Sequence, residues 1–180
     1  MLTEIKKHKP LLEQLKEYML IALVVLLFNN FIISCNRVPS SSMVSTINEK
    51  DRILVSMLPY YYRNPLRGEI VVFYHDDEFW VKRVVGLPGD IIGIFDGNVY
   101  INGQLLDESQ YLDKEGTSTP NPFYEPLDFP YKVPKDSYFL MGDNRPGSYD
   151  GRYIGAVAAK DITGKALLRF YPFNKMGFLS

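Results

Sequence analysis

The residues most able to do chemistry in this chain are a cluster of serines and one strand lysine. Val38-Pro39-Ser40-Ser41-Ser42-Met43 sets three hydroxyls after a proline. Such a turn can present one hydroxyl as a nucleophile while a neighbouring hydroxyl and a backbone N–H stabilise an oxyanion. Taken by itself, the stretch also reads as a solvated linker. A serine nucleophile needs a base, most often histidine. The sequence has two histidines. His8 precedes a long apolar run, and His75 lies in His75-Asp76-Asp77-Glu78, which reads as an exposed hairpin turn. Lysine can take the role only if it is neutral near working pH, so it must be withdrawn from water and from other cations. In Phe79-Trp80-Val81-Lys82-Arg83-Val84-Val85, strand alternation puts Trp80, Lys82 and Val84 on one face and Arg83 on the other. Lys82 then has apolar neighbours and the adjacent guanidinium points away. The plainer alternative is a lysine on the solvent face of an edge strand.

Composition narrows the field. Among 180 residues, Lys+Arg 20 against Asp+Glu 21 leaves a net charge of -1, with no surplus of cations to neutralise phosphates, so nucleic acid is not an expected partner. The single cysteine, Cys35, cannot close an internal disulfide, and with two histidines it cannot build an ordinary zinc site. No metal or organic cofactor is implied. An apolar content of 46% suits one modest globular domain with one added element.

That added element is Tyr18 to Ser34, YMLIALVVLLFNNFIIS, which holds no charge. A spanning helix needs about 20 mostly apolar residues, and the run to Cys35 meets this at the short end. A cleaved signal peptide is the alternative, since Ile32-Ile33-Ser34-Cys35 resembles a lipoprotein cleavage site. Lys6, Lys7, Lys9 and Lys16 all precede the run. The positive-inside tendency therefore predicts a cytoplasmic tail over 1–17, a transmembrane helix over 18–35 and an extracytoplasmic domain over 36–180.

The exported part reads as antiparallel β structure. Arg52 to Met57, Glu69 to Tyr74, Phe79 to Val85, Asp90 to Phe95, Asn98 to Ile101, Ser137 to Met141 and segments between Ile154 and Tyr171 are short runs rich in β-branched and aromatic residues. No sustained helical period follows Arg37. Asp96-Gly97 and Asn102-Gly103 are hairpin signals, predicting a meander from Ile91 to Leu106. Prolines at 120, 122, 126, 130 and 134 predict an irregular loop over 117–134. The fold expected is thus mainly β: one N-terminal transmembrane helix, then a β domain in which 91–136 forms a small β insertion. Met57-Leu58-Pro59-Tyr60-Tyr61-Tyr62-Arg63 suits either a bilayer interface or an aromatic cover on the core.

Pro39-Ser40-Ser41-Ser42-Met43, Val81-Lys82-Arg83-Val84-Val85-Gly86-Leu87-Pro88-Gly89-Asp90, and Gly142-Asp143-Asn144-Arg145 with Ser148, Asp150 and Arg152 resemble the boxes of bacterial type I signal peptidases, in the short single-anchor form common in Gram-positive bacteria. The resemblance implies a membrane-anchored serine endopeptidase that cuts signal peptides from exported preproteins after small-x-small sites. In it, Ser42 is the nucleophile and Lys82 the general base. Ser40, with the backbone N–H of Ser42, matches the oxyanion donors, and Ser148 the hydroxyl that orients the lysine. Asp143, Arg145, Asp150 and Arg152 match bracing residues. Val38, Met43, Ile47, Trp80 and Val81 match the walls of the substrate pockets. Expected partners are preprotein signal peptides and membrane lipid. Three positions depart from the family pattern: Ser45 stands for a usual proline, Pro146-Gly147 for Asp-Asn, and Gly151 for a common serine. The rival from another class is a catalytically silent, or narrowly dedicated, relative that assists assembly of secreted subunits such as pilins.

Overall fold

The computed structural model describes residues 10–112 and 124–179. Lys6, Lys7, His8, Lys9, Pro120 and Pro122 lie outside the described residues. The chain opens with helix α1 (Leu11–Phe31). The helix stops four residues short of the boundary expected from the apolar run, and Ile32–Arg37 instead forms strand β1, antiparallel to β2 (Arg52–Ser56). Asn29 and Asn30 are weak helix formers, whereas Ile32 and Ile33 are β-branched and meet a strand edge with free ladder groups. Among the described residues, no helix is long and apolar enough to cross a membrane.

Strands β3 (Ile70–His75) and β4 (Glu78–Gly86) form a hairpin whose Asp76 and Asp77 have φ of 48° and 62°. His75 does stand at a hairpin end, as expected. β5 (Ile91–Phe95), β6 (Asn98–Ile101) and β7 (Gln104–Leu105) make the meander. Its turns, Asp96-Gly97 and Asn102-Gly103, have positive φ at all four residues, the backbone that type I′ hairpins require. Strand β8 (Tyr131–Lys132) adds to β5, which places regular pairing inside the stretch read as loop. Then follow β9 (Ser137–Met141), β10 (Val157–Ala158), β11 (Ile162–Tyr171) and β12 (Gly177–Phe178).

The large sheet runs β1-β2-β11-β3-β4-β9-β10, with β12 on β11, and the small one β7-β6-β5-β8. Every pairing is antiparallel. Among the described residues after Arg37, helix is confined to single turns, including α2 (Leu58–Tyr62) and α3 (Gly151–Ile154). α2 divides the tyrosine run. Tyr60 packs on the core and donates to Glu69 Oε2 at 3.2 Å, whereas Tyr61 and Tyr62 are exposed.

Apolar groups cover both faces of the large sheet. One face carries Val38, Met43, Ile47, Ile53, Val55, Ile70, Val72 and Val81, and the other Val71, Phe73, Val84, Tyr138, Leu140 and Val157. Fully burying such a side chain contributes about 1.5–3 kcal/mol, so the centre of β4 is a rigid support. A third cluster, with Val85, Ile92, Val99, Val133 and Phe139, fastens the small sheet to the end of β4.

Candidate active site

Three segments meet at Lys82. It projects from β4 and is buried, so the solvent-edge alternative fails. Between Glu78 and Lys82 only the β3 side of β4 is paired, because its register with β9 begins at Arg83. That leaves a strand edge open beside the serine loop. Lys82 is 4% exposed and its Nζ lies 2.8 Å from Ser42 Oγ. Ser40 Oγ stands 3.2 Å from the same Ser42 oxygen. The Ser42 backbone N–H donates to no acceptor among the described residues.

Burial lowers the Lys82 pKa from the ordinary lysine value to about 8; Asp150 pulls it up, Arg152 pushes it down and Asp143 pulls it up. The ammonium loses hydration, and its acidic neighbours restore only part of that loss. The Trp80 ring lies 5.3 Å from Nζ. Arg83, expected to point away from Lys82, is itself buried, at 1% exposed. Because the opposite face of β4 is also covered, it needs a counter-ion: Nε and Nη2 donate to Asp143 at 2.9 and 2.8 Å, and Nη1 to the Gly68 carbonyl at 2.6 Å.

The serine loop is pinned by the segment after β9. Asn144 N–H donates to the Ser42 carbonyl at 3.0 Å, Asn144 Nδ2 to the Ser41 carbonyl at 3.1 Å, and Thr46 Oγ1 to Asp143 Oδ2 at 2.5 Å. Gly142 permits this approach, since a Cβ there would overlap the Ser42 carbonyl oxygen and the Ser148 hydroxyl. Gly142→Ala is therefore expected to destabilise the protein by about 1–3 kcal/mol and to remove most activity by displacing Ser42. Thermal unfolding and a cleavage assay on the same preparation check both effects.

Asp143, Arg145, Asp150 and Arg152 are all buried, and hydrogen bonds link Asp150 and Arg145 to Gly142 and the Arg145 N–H to the Asp143 carbonyl. Arg152 Nε donates to Asp150 Oδ1 at 2.9 Å, and Asp150 Oδ2 accepts the Gly142 N–H at 2.9 Å. Arg152 Nη2 also donates to the carbonyls of Arg145 and Ser148, at 2.5 and 3.2 Å. Arg145 Nε donates to the Gly142 carbonyl at 3.0 Å. Ser148 itself departs from the expectation. Its hydroxyl is wholly buried and has no hydrogen-bond partner among the described residues, so it makes no bond to Lys82 here.

Two of the departures from the family pattern have visible consequences. Ser45 has φ of 89°, which a proline ring cannot adopt. A Cβ on Gly151 would come within 2.7 Å of the Leu140 carbonyl oxygen, so the helix start sits closer to β9 than a serine would allow.

A cleft of about 250 Å³ opens beside the Ser42–Lys82 pair, lined by Val38, Trp80, Val81, Phe79, Gly147 and Tyr149 among others. A second, of about 300 Å³, continues past Val38 and Val81 to Ile53 and Val72. Val38, Trp80 and Val81 thus line the cleft, as expected. Met43 and Ile47 do not: both are 0% exposed, in the core cluster that also holds Val38 and Val81. Tyr149 is a wall residue that sequence reasoning missed. Only its place between Ser148 and Asp150 hinted at it.

Comparison with known proteins places this geometry in context. The family model "Signal peptidase, peptidase S26" matches residues 11–171. Signal peptidase I S of Bacillus subtilis (strain 168) is 39% identical over 176 residues, covering 96% of this chain and 95% of that protein. Signal peptidase I of Leptolyngbya laminosa is 35% identical over 187 residues, 97% of this chain and 86% of the relative. A crystal structure of a signal peptidase I from Enterococcus faecalis V583 aligns at 32% identity with a TM-score of 0.47, covering 57% of this chain and 97% of that one.

Proposed function

The chain belongs to the signal peptidase family, peptidase S26, and is a serine endopeptidase; from that premise we propose that it removes signal peptides from exported preproteins with Ser42 as nucleophile and Lys82 as general base. The observation that carries this reading is the 2.8 Å contact between a buried lysine amine and a serine hydroxyl at the mouth of an apolar cleft. The neutral amine takes the Ser42 proton as Oγ attacks the scissile carbonyl. The oxyanion is held by the Ser42 N–H and the Ser40 hydroxyl. Lys82 returns the proton to the departing amine, leaving an acyl-serine. Water attacks the acyl group while Lys82 takes its proton, and Ser42 is released as the hydroxyl.

An extended substrate adds along the open edge of β4 between Glu78 and Lys82, with main-chain bonds giving affinity. Apolar walls at Val38, Trp80 and Val81 select small side chains beside the cut. Size selection alone is worth about 1–3 kcal/mol per methylene, so tethering of enzyme and substrate to one membrane supplies the rest. The uncharged Tyr18–Ser34 run, partly within α1, is the proposed anchor, with the N-terminus cytoplasmic and the β domain outside.

Ser148 is the proposed orienting group for the lysine during turnover, because a buried hydroxyl with no partner can receive the ammonium once it forms. Ser148→Ala is expected to lower kcat with KM unchanged, and to cost little thermal stability because no existing hydrogen bond is lost. A loss confined to KM contradicts the assignment. The function itself is tested by mass spectrometry of a preprotein incubated with the detergent-solubilised chain. One cut after a small-x-small site supports it. No cut by folded protein, in lipid or detergent, favours the assembly reading.

A further inference from the structure

One turn after β7 touches the frame around the dyad at three residues, Arg83, Arg145 and Ser45. Residues 107–112 follow β7 and close with Tyr111 N–H and Leu112 N–H donating to the Glu108 carbonyl at 3.2 and 3.0 Å. The Tyr111 ring lies under the Arg83 guanidinium, 4.0 Å from centroid to Cζ. Its hydroxyl donates to Glu108 Oε1 at 2.7 Å. Glu108 forms a two-pronged ion pair with Arg145, one prong at 2.9 Å, and Arg145 has no exposed side-chain surface. The Tyr111 carbonyl accepts from Ser45 Oγ at 3.2 Å.

Each of these three contacts is one step from the reacting pair. Arg83 adjoins Lys82 in the chain and holds Asp143. Arg145 holds the Gly142 carbonyl, at the glycine that packs on Ser42. Ser45 precedes Thr46, whose hydroxyl holds Asp143. None of Glu108, Ser109, Gln110 or Tyr111 lines the cleft. The turn therefore contacts the frame of the dyad and not the substrate walls.

We infer that Glu108 and Tyr111 are positioning residues for cleavage, clamping the Arg83–Asp143 and Arg145–Gly142 links so that Ser42 and Lys82 keep their contact. The inference rests on the dyad reading above. A misplacement of about 1 Å at a reacting group costs on the order of 100-fold in rate, so a frame that loosens by a fraction of that lowers kcat without altering substrate affinity. Glu108 also supplies the charge opposite a buried guanidinium. Losing it adds uncompensated positive charge near a site where Asp150, Arg152 and Asp143 already act on Lys82, and so favours the neutral amine.

The test uses the full-length chain in detergent and compares wild type, Glu108→Gln, Tyr111→Ala, Tyr111→Phe and Ser42→Ala. The expected result is a kcat lowered by roughly 10- to 100-fold in Glu108→Gln and Tyr111→Ala, per folded molecule by circular dichroism, with KM unchanged. Tyr111→Phe, which keeps the ring on Arg83, restores most of the rate. The rate-against-pH curve of Glu108→Gln moves to lower pH. Wild-type kcat per folded molecule in both Glu108→Gln and Tyr111→Ala, or a change confined to KM, overturns the inference. Should Glu108→Gln fail to fold, the Tyr111→Ala and Tyr111→Phe pair decides it alone. Cleavage by Ser42→Ala would instead overturn the dyad reading, so the two failures are told apart.

Discussion

Ser42→Ala abolishes preprotein cleavage and leaves the fold in place. The hydroxyl is the atom that attacks, with Lys82 Nζ at 2.8 Å and Ser40 Oγ at 3.2 Å from it, and alanine leaves neither of them a hydroxyl oxygen to activate. The loop's own position depends on main-chain groups, since Asn144 binds the carbonyls of Ser41 and Ser42. Alanine keeps those bonds. Loss of the nucleophile in serine hydrolases costs on the order of 10⁶ in kcat, whereas the lost hydrogen bond is worth about 1 kcal/mol of stability. The check is turnover of a purified preprotein together with thermal unfolding of both proteins. Turnover within about 100-fold of wild type by the variant would be incompatible with Ser42 as nucleophile.

Lys82→Met is equally inactive but more stable at neutral pH. Lys82 is buried, and its folded-state pKa of about 8 lies below the unfolded value of about 10.4. Between those values the unfolded chain binds more protons, so wild-type stability rises with pH from about 8 to about 10. Below about 8 the folded protein carries the full cost of a buried ammonium, up to about 3 kcal/mol. Methionine keeps most of the stem and removes that cost. The variant's advantage in unfolding free energy is therefore largest near pH 6 to 7 and fades above about pH 8. Denaturant unfolding of both proteins across this range measures it. A variant less stable than wild type at every pH would mean that Lys82 is held by favourable charge pairing and is not poised as a base.

Much of this was legible in the residues. Asp96-Gly97 and Asn102-Gly103 fixed their hairpins because few other dipeptides tolerate positive φ at both positions. Alternation along β4 put Lys82 among apolar groups, which the buried site bears out, and Arg83 on the other face, but it gave no sign that Arg83 would be buried too. Alternation does not say whether a face is wet, and here Tyr111, from the 107–112 turn, and Asp143, from the segment after β9, both cover Arg83. Met43 and Ile47 illustrate a different limit: the resemblance implied pocket walls there, and a matching position does not say whether a substrate or the core buries the side chain. The end of α1 was set by competition from the free edge of β2, a partner only the folded chain reveals. Glu108 and Tyr111 carried no local signal, because their partners Arg145 and Arg83 stand 37 and 28 positions away.

The central claim, that neutral Lys82 takes the Ser42 proton, is tested most directly by kcat/KM against pH for the wild-type enzyme. Only the unprotonated amine accepts a proton, so the rate should rise with pH, increase about tenfold per unit on the acid limb, and level off above about 8. A profile flat from about pH 6 to 10, or one with its midpoint near the ordinary lysine value of about 10.4, would contradict the account.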